Sequence, residues 1–369
     1  MVILIRCNDI LSDPRAMKYV KYLQENDIKH LLIGWDRDGK NTYIPHSVMW
    51  RQQAGFNVGG LKAVLYRIGW MWFVYKQLCK LKPHNDVLHG CDLDAAFPAA
   101  CYNSLHGKRN KVIFDIFDWF SATLYDSKKY VLSAFKFMEK YSVKKSDRII
   151  ICEPERIEQI PFEVSENKLS VLPNIPYFND DSFLTVDLNK KIDNKLLTFS
   201  YVGGFSPDRC LFEIVSIAEK GLINLSIAGF GNSELESRLK EDTEKYPNIR
   251  YYGKVKYEDG LNISYNSDVM YAMYSVTNPN HVYAAPNKYY EAMFLGKPLF
   301  TTKGTIVEKK VLDRQIGYVS GETEDEITSV INSITREDMQ KKGVLSKECW
   351  LSTYKDFTHN FLKQEYLKF

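Results

Sequence analysis

Short apolar runs alternate with longer stretches of helical period along the whole chain. Val2–Cys7, Leu31–Trp35, Val87–Gly90, Val112–Ile116, Arg148–Cys152 and Leu169–Leu172 have the length and composition of buried strands. Between them, Pro14–Gln24, Leu61–Leu81 and Val131–Lys144 repeat apolar residues at helical spacing. Strand, helix, strand in series predicts a parallel sheet with helices on both faces. A polar stretch over 179–195 interrupts the rhythm, which then restarts. Strands are expected at Leu196–Val202, Leu225–Ala228, Ile249–Tyr252, Val269–Tyr274 and Pro298–Thr301, and helices at Leu211–Lys220, Ser233–Lys245 and Asn287–Leu295. The tail, 347–369, reads as helical and rich in aromatics.

The pattern gives two doubly wound α/β domains in tandem, 1–178 and 196–346, with 179–195 as linker and 347–369 packing back on the first domain. Ligands bind outside the carboxyl ends of such strands, so a cleft between the two domains is the expected site.

Composition changes this picture little. The chain of 369 residues is 45% apolar and 26% charged, with a formal net charge of +3 that demands no nucleic-acid partner. Seven scattered cysteines without C-x-x-C spacing read as free thiols in a reducing compartment, not as disulfides or zinc ligands. The N-terminal run has no signal-peptide pattern, and the longest apolar stretch, Gly69–Tyr75, falls short of the about 20 residues a spanning helix needs. The expected location is cytoplasmic.

The most informative chemistry lies between Pro286 and Pro298. Pro286 suits a helix start, and the first turn then offers free N–H groups from Lys288 and Tyr289 at a positive dipole end. With the Lys288 ammonium this is a site for a phosphate. Glu291, one turn further on the same side, is placed to accept from a ribose hydroxyl. A plain helix start with a nearby acid explains the same residues equally well. Gly203, Gly204, Gly229, Gly231 and Gly253 follow predicted strands, where any α/β domain places glycine or where backbone approaches a phosphate.

Taken in order, these segments resemble the donor half of GT-B glycosyltransferases of family 4, in the branch whose donor helix reads P-N-K-x-x-E. The resemblance covers the second half of the chain. It implies that Asn287, Lys288, Tyr289 and Glu291 bind a nucleotide-diphosphate sugar, and that Arg209, after Tyr201-Val202-Gly203-Gly204, touches the distal phosphate. It places Gly229 and Gly231 in a turn beside the donor, and Gly253 and Lys254 beside the nucleobase. Many retaining members carry a second glutamate eight positions before this one; here that position is Tyr283.

The first half is then expected to hold the acceptor. Asp13-Pro14-Arg15 follows the first strand, with Asp13 either an N-cap or a catalytic acid. His89, Asp92 and Asp94 resemble the family's H-x-x-D-x-D segment lining the cleft. Phe117 stands where the family has a histidine, and Asp118 remains beside it. A carboxylate among Phe117 and Trp119 has a raised pKa if buried, as a general base needs; an N-cap or an ion pair is the alternative.

From Gly39 to Asn85 there is no Asp or Glu, while Lys62, Arg67, Lys76 and Lys80 lie among Trp50, Phe56, Trp70, Trp72 and Phe73. Lys62, Lys76 and Lys80 share a helix face with Arg67 off it, as an anionic membrane surface or a solvated core helix would have them.

The reading is a GT-B glycosyltransferase of surface polysaccharide or glycoconjugate synthesis, moving a hexose-type sugar to a glycan or polyprenyl-linked acceptor at the inner face of the membrane. Retention and no obligatory metal or cofactor follow from the resemblance. A sugar-nucleotide 2-epimerase of the same fold and a non-catalytic partner subunit are the rivals.

Overall fold

The computed structural model describes all residues except 9, 11–12, 38, 40–42, 55–59, 125–127, 178–181 and 186–194, and only the backbone of Gly60, Leu61 and Thr123. Most of the expected linker therefore lies outside the described residues. The chain divides into two compact units, Met1–Pro173 with Thr358–Phe369, and Asn174–Phe357.

The first unit holds seven parallel strands. β1 (Val2–Arg6), β2 (His30–Trp35), β3 (Ser47–Trp50), β4 (Val87–Cys91), β5 (Lys111–Ile116), β6 (Arg148–Ile151) and β7 (Leu169–Val171) lie in the order β3-β2-β1-β4-β5-β6-β7. Val2 to Ile5 of β1 are buried on both faces, as a central parallel strand requires. Four long helices connect the strands: α1 (Pro14–Glu25), α2 (Gly60–Leu81), α3 (Leu93–Leu105) and α4 (Lys129–Lys145). Asp13 caps α1 and Pro14 occupies its first turn, where a missing N–H removes no bond. α2 turns Trp70, Val74 and Leu78 inward at i, i+4 spacing.

The segment carrying α2 corrects one expectation. Trp50 and Trp70 pack with Trp35, and Phe73 with Trp50 and Trp70, at ring-centroid distances of 4.4–6.2 Å, and of the described members of that set only Trp72 is exposed. Phe56 lies outside the described residues.

The second unit has six parallel strands: β8 (Thr198–Gly204), β9 (Asn224–Phe230), β10 (Ile249–Tyr251), β11 (Val269–Ala272), β12 (Leu299–Thr302) and β13 (Gly317–Ser320). Their order is β10-β9-β8-β11-β12-β13. Helices α5 (Leu211–Glu219), α6 (Ser233–Lys245), α7 (Tyr257–Tyr265), α8 (Pro279–Val282), α9 (Asn287–Leu295), α10 (Ile306–Asp313), α11 (Glu324–Ser333) and α12 (Arg336–Cys349) complete it. The chain beyond α12 stays with this unit as far as Phe357, because Trp350 and Tyr354 pack on Phe294 and Tyr290 of α9 at 5.2 and 5.1 Å. From Thr358 the tail belongs to the first unit, where Tyr366 is fully buried against Tyr19 of α1.

Each sheet begins at a central strand, winds one way and then the other. The crevice outside the carboxyl ends of β1 and β4, and that outside β8 and β11, are thus the places where such folds hold ligands.

Candidate functional site

Outside the ends of β8 and β11, two cations converge. Lys288 stands on the first turn of α9, which has no side-chain cap. Its Nζ lies 4.8 Å from the centroid of the Tyr201 ring and has no hydrogen-bond or ion-pair partner among the described residues. Burial pulls this ammonium down to about 8; Glu291 opposes the shift and Arg209 adds to it. Arg209 follows β8, with its guanidinium 4.1 Å over the Tyr274 ring and its Nε 3.8 Å from Asp208. Arg209 Nη1 is buried without a hydrogen-bond partner. Two partly buried cations that repel each other, beside an open helix N-terminus, make a place suited to an anion.

Glycine makes the room. A Cβ on Gly203 (φ +156°) would stand 2.8 Å from Lys288 Nζ. A Cβ on Gly229 (φ +149°) would run into the Gly203 carbonyl, so the ends of β8 and β9 approach as only glycine allows. Gly231 gives its N–H to Glu236 at 2.8 Å, and Gly253 accepts from the Gly229 N–H at 2.8 Å. Gly204 accepts from the Tyr201 hydroxyl at 2.6 Å. Lys254 lies over the Phe230 ring at 4.5 Å, near the same loop ends.

Glu291 is only 8% exposed and accepts from the Tyr257 hydroxyl at 2.8 Å. Burial raises its pKa, against the pull of Lys288 and of that hydrogen bond. Asn287 opens α9. Tyr289 departs from expectation twice. Its N–H is bonded to the Pro286 carbonyl at 3.1 Å, and its ring is buried in the core of the unit, edge-on to Tyr290. The first N–H groups left open at this helix start are those of Asn287 and Lys288.

At the β1 and β4 ends of the first unit a different network forms. Arg6 ion-pairs with Asp13 at 2.7 Å and with Asp92, and lies over the Phe117 ring at 4.2 Å. Asp13 also accepts from the N–H groups of Arg15 and Ala16 at 3.0 and 3.3 Å, so it is the cap of α1. Asp92 accepts from the N–H groups of Phe117 and Asp118 at 2.9 and 3.3 Å. Burial raises its pKa to about 6 despite Arg6. Asp118 is 56% exposed and 3.2 Å from Arg156, so the burial invoked to raise its pKa is not there. The perturbed carboxylate of this crevice is Asp92.

His89, Asp94 and Arg15, expected to line the acceptor site, are buried. Arg15 is ion-paired with Asp115, which also accepts from the Tyr19 hydroxyl at 2.7 Å. His89 Nδ1 lies 2.6 Å from the Tyr366 hydroxyl and Nε2 3.6 Å from Asp115. Asp94 takes Arg67 at 2.6 Å. Arg15 and its neighbours hold the Asp115 pKa well below the usual range against the opposing burial, while burial lowers that of His89. His89, Cys91 and Asp115 bring potential ligand atoms within 4.8 Å of one another. However, Asp115 is already committed to Arg15 and Tyr19, and burial holds the Cys91 thiol protonated. This set reads as an internal polar network, not as a cation site. Lys62, Lys76 and Lys80 are exposed on α2, and Arg67 is turned toward Asp94.

Tyr201, Tyr257, Tyr274, Asp208 and His281 join the donor-side cluster without having been expected there. His281 Nε2 lies 3.3 Å from Asp208 and its Nδ1 3.0 Å from the Ser275 carbonyl. Asp208, next to Arg209 in sequence, was the findable one; the tyrosines look like ordinary core residues.

No protein-family model and no curated protein sequence matches the chain. Solved structures do. Sucrose-phosphate synthase from Thermosynechococcus elongatus superposes with a TM-score of 0.71 at 14% identity, covering 98% of this chain and 97% of that one. Starch synthase IV from Arabidopsis thaliana, bound to ADP and acarbose, gives 0.62 at 11%, covering 98% of both chains. A UDP-N-acetylglucosamine 2-epimerase from Listeria monocytogenes gives 0.60 at 11%, covering 96% of both. With the two all-parallel sheets, these likenesses establish the GT-B fold.

Proposed function

We propose that the chain is a glycosyltransferase that moves a hexose-type sugar from a nucleoside-diphosphate sugar to a glycan or lipid-linked acceptor. The observation that carries this reading is the pair Lys288 and Arg209, partly buried at the switch point beside the open N-terminus of α9. The ADP of the starch synthase structure is a ligand of the same class.

In this reading the diphosphate rests on Lys288, Arg209 and the first N–H groups of α9, and Glu291 accepts from a ribose hydroxyl. As the bond from the anomeric carbon to the phosphate oxygen breaks, its electron pair passes to the diphosphate. The two cations and the helix dipole stabilise that charge, the task a metal ion performs in other transferases. The acceptor hydroxyl forms the new glycosidic bond, and its proton goes to the departing phosphate oxygen or to Asp118. We propose retention at the anomeric carbon, because the departing phosphate is then the base on the donor's own face.

The epimerase likeness supports a second reading, in which the same anion site holds a nucleotide sugar whose C2 centre is inverted. Incubation with donor alone separates the two: an epimerase converts it, and a transferase leaves it largely unchanged until an acceptor is added.

A thermal-shift screen of UDP, GDP, ADP and dTDP and their sugars tests the donor assignment. At least one raises the Tm of the wild-type chain, and raises that of Lys288→Ala less at the same concentration. If none does, or if the variant responds equally, the donor-site reading is wrong.

A further inference from the structure

The outer layer of the first unit holds a surface that the donor chemistry does not use. Helices α2, α3 and α4 connect β3 to β4, β4 to β5 and β5 to β6, all stepping the same way across the sheet. Right-handed crossovers therefore put all three on one face, and α3 packs between the other two. α1 steps the opposite way and lies on the other face, where Tyr366 covers it.

On these three helices every exposed charged side chain among the described residues is a cation. Their two acids, Asp94 and Glu139, are buried. α2 exposes Lys62, Leu65, Trp72, Lys76 and Lys80 along one stripe at i, i+3 and i+4 spacing, with Ile68 at its edge. Trp72 is 56% exposed, and Lys76 Nζ lies 5.2 Å over its ring. α4 adds a second stripe of Tyr130, Phe137, Lys140 and Lys144, with Phe137 64% exposed.

We infer that this face docks on an anionic lipid surface. The lysines supply attraction to acidic headgroups, at about the strength of a fivefold gain in partition for each residue near the surface. The exposed Leu65, Ile68, Trp72, Tyr130 and Phe137 are costly in water and at home at the headgroup boundary. A soluble polyanion would use the cations and leave these apolar side chains unexplained. No helix of the described residues is long and apolar enough to cross a membrane, so the contact is interfacial. The inference deepens the lipid-linked acceptor reading by naming the surface through which such an acceptor is reached.

Co-sedimentation of the full chain with phosphatidylcholine vesicles, with and without phosphatidylglycerol, tests it. Binding is expected only to the acidic vesicles and to fall as salt is raised. Replacing Lys76, Lys80, Lys140 and Lys144 with alanine together lowers it by several hundredfold, at roughly fivefold each. The pair Trp72→Ser and Phe137→Ser lowers it with the lysines intact and with little change in Tm, since more than half of each side chain is exposed. Equal binding to neutral vesicles, or wild-type binding by either set of variants, overturns the inference. So does retention by a soluble polyanion such as heparin that the Trp72 and Phe137 replacements leave unchanged. Nucleotide-induced stabilisation persists in all these variants, so a failure here does not count against the donor site, nor the reverse.

Discussion

The Lys288 ammonium stands where a Cβ on residue 203 would be 2.8 Å away, so the smallness of Gly203 and the position of Lys288 are one feature. A β8 ending in any other residue moves the lysine. Gly203→Ala is therefore expected to weaken binding of the preferred nucleoside diphosphate at least about tenfold by isothermal titration, as a charge-assisted contact is lost. The double variant Gly203→Ala/Lys288→Ala should be no worse than Lys288→Ala alone, because both act on the same contact.

Removing the cation directly has a second signature. Lys288→Ala or Arg209→Ala should each cost about 2 kcal/mol of diphosphate affinity, roughly 30-fold. The Tm of the unliganded Lys288→Ala chain should not fall, because the variant removes a partly buried charge with no ion-pair partner among the described residues. Calorimetry on the unliganded protein decides this.

Affinity should also depend on pH in a defined window. In the proposed donor site Lys288 holds the diphosphate as an ammonium, and its pKa in the folded chain is about 8, so affinity is expected to fall as pH rises through about 8. The stability of the unliganded chain moves the other way. Between about 8 and 10.5 the unfolded lysine keeps a proton that the folded one has lost, so this group makes folding more favourable as pH rises through that window. Glu291→Gln removes the charge that holds the Lys288 pKa up, so the fall in affinity should begin at lower pH.

Asp115 is predicted to matter for folding. It is fully buried, paired with Arg15 and bonded to Tyr19. Asp115→Ala leaves the Arg15 charge uncompensated in the interior, at a cost of about 3–5 kcal/mol in denaturant unfolding. Asp118→Ala, at an exposed position, should change stability little; a large loss of kcat with KM unchanged is expected if Asp118 takes the acceptor proton.

Much of the architecture was legible in one dimension. The central strands β1, β4, β5, β8, β9 and β11 are largely buried on both faces, so each shows as a mostly apolar run of strand length. What was missed lies where that signal fades. β3 and β13 are four-residue edge strands, and Pro98 together with an apolar residue on every side hid the helical period of α3. Lys288, Glu291 and the glycine turns could be named because a helix start and strand ends are local features, and Arg209 was named through the resemblance alone. The misplaced residues failed for a different reason. Tyr289, His89, Arg15 and Asp94 sit beside the right loops, but sequence spacing does not say whether a side chain faces the crevice or the core. Their buried partners, such as Asp115 for Arg15 and Tyr366 for His89, are 100 and 277 positions away.

The sequence by itself determined the two parallel-sheet domains and the residues that crowd the start of α9, because periodicity and helix termini are properties of neighbours along the chain. Only the tertiary structure decided which of those residues meet. Lys288 and Arg209 converge as cations, Asp92 and not Asp118 is the carboxylate whose pKa is raised, and Trp72, among the described aromatics of its segment, is the one exposed beside the lysines. Burial and charge pairing set each of these, and both depend on residues that come together only when strands distant in sequence lie side by side.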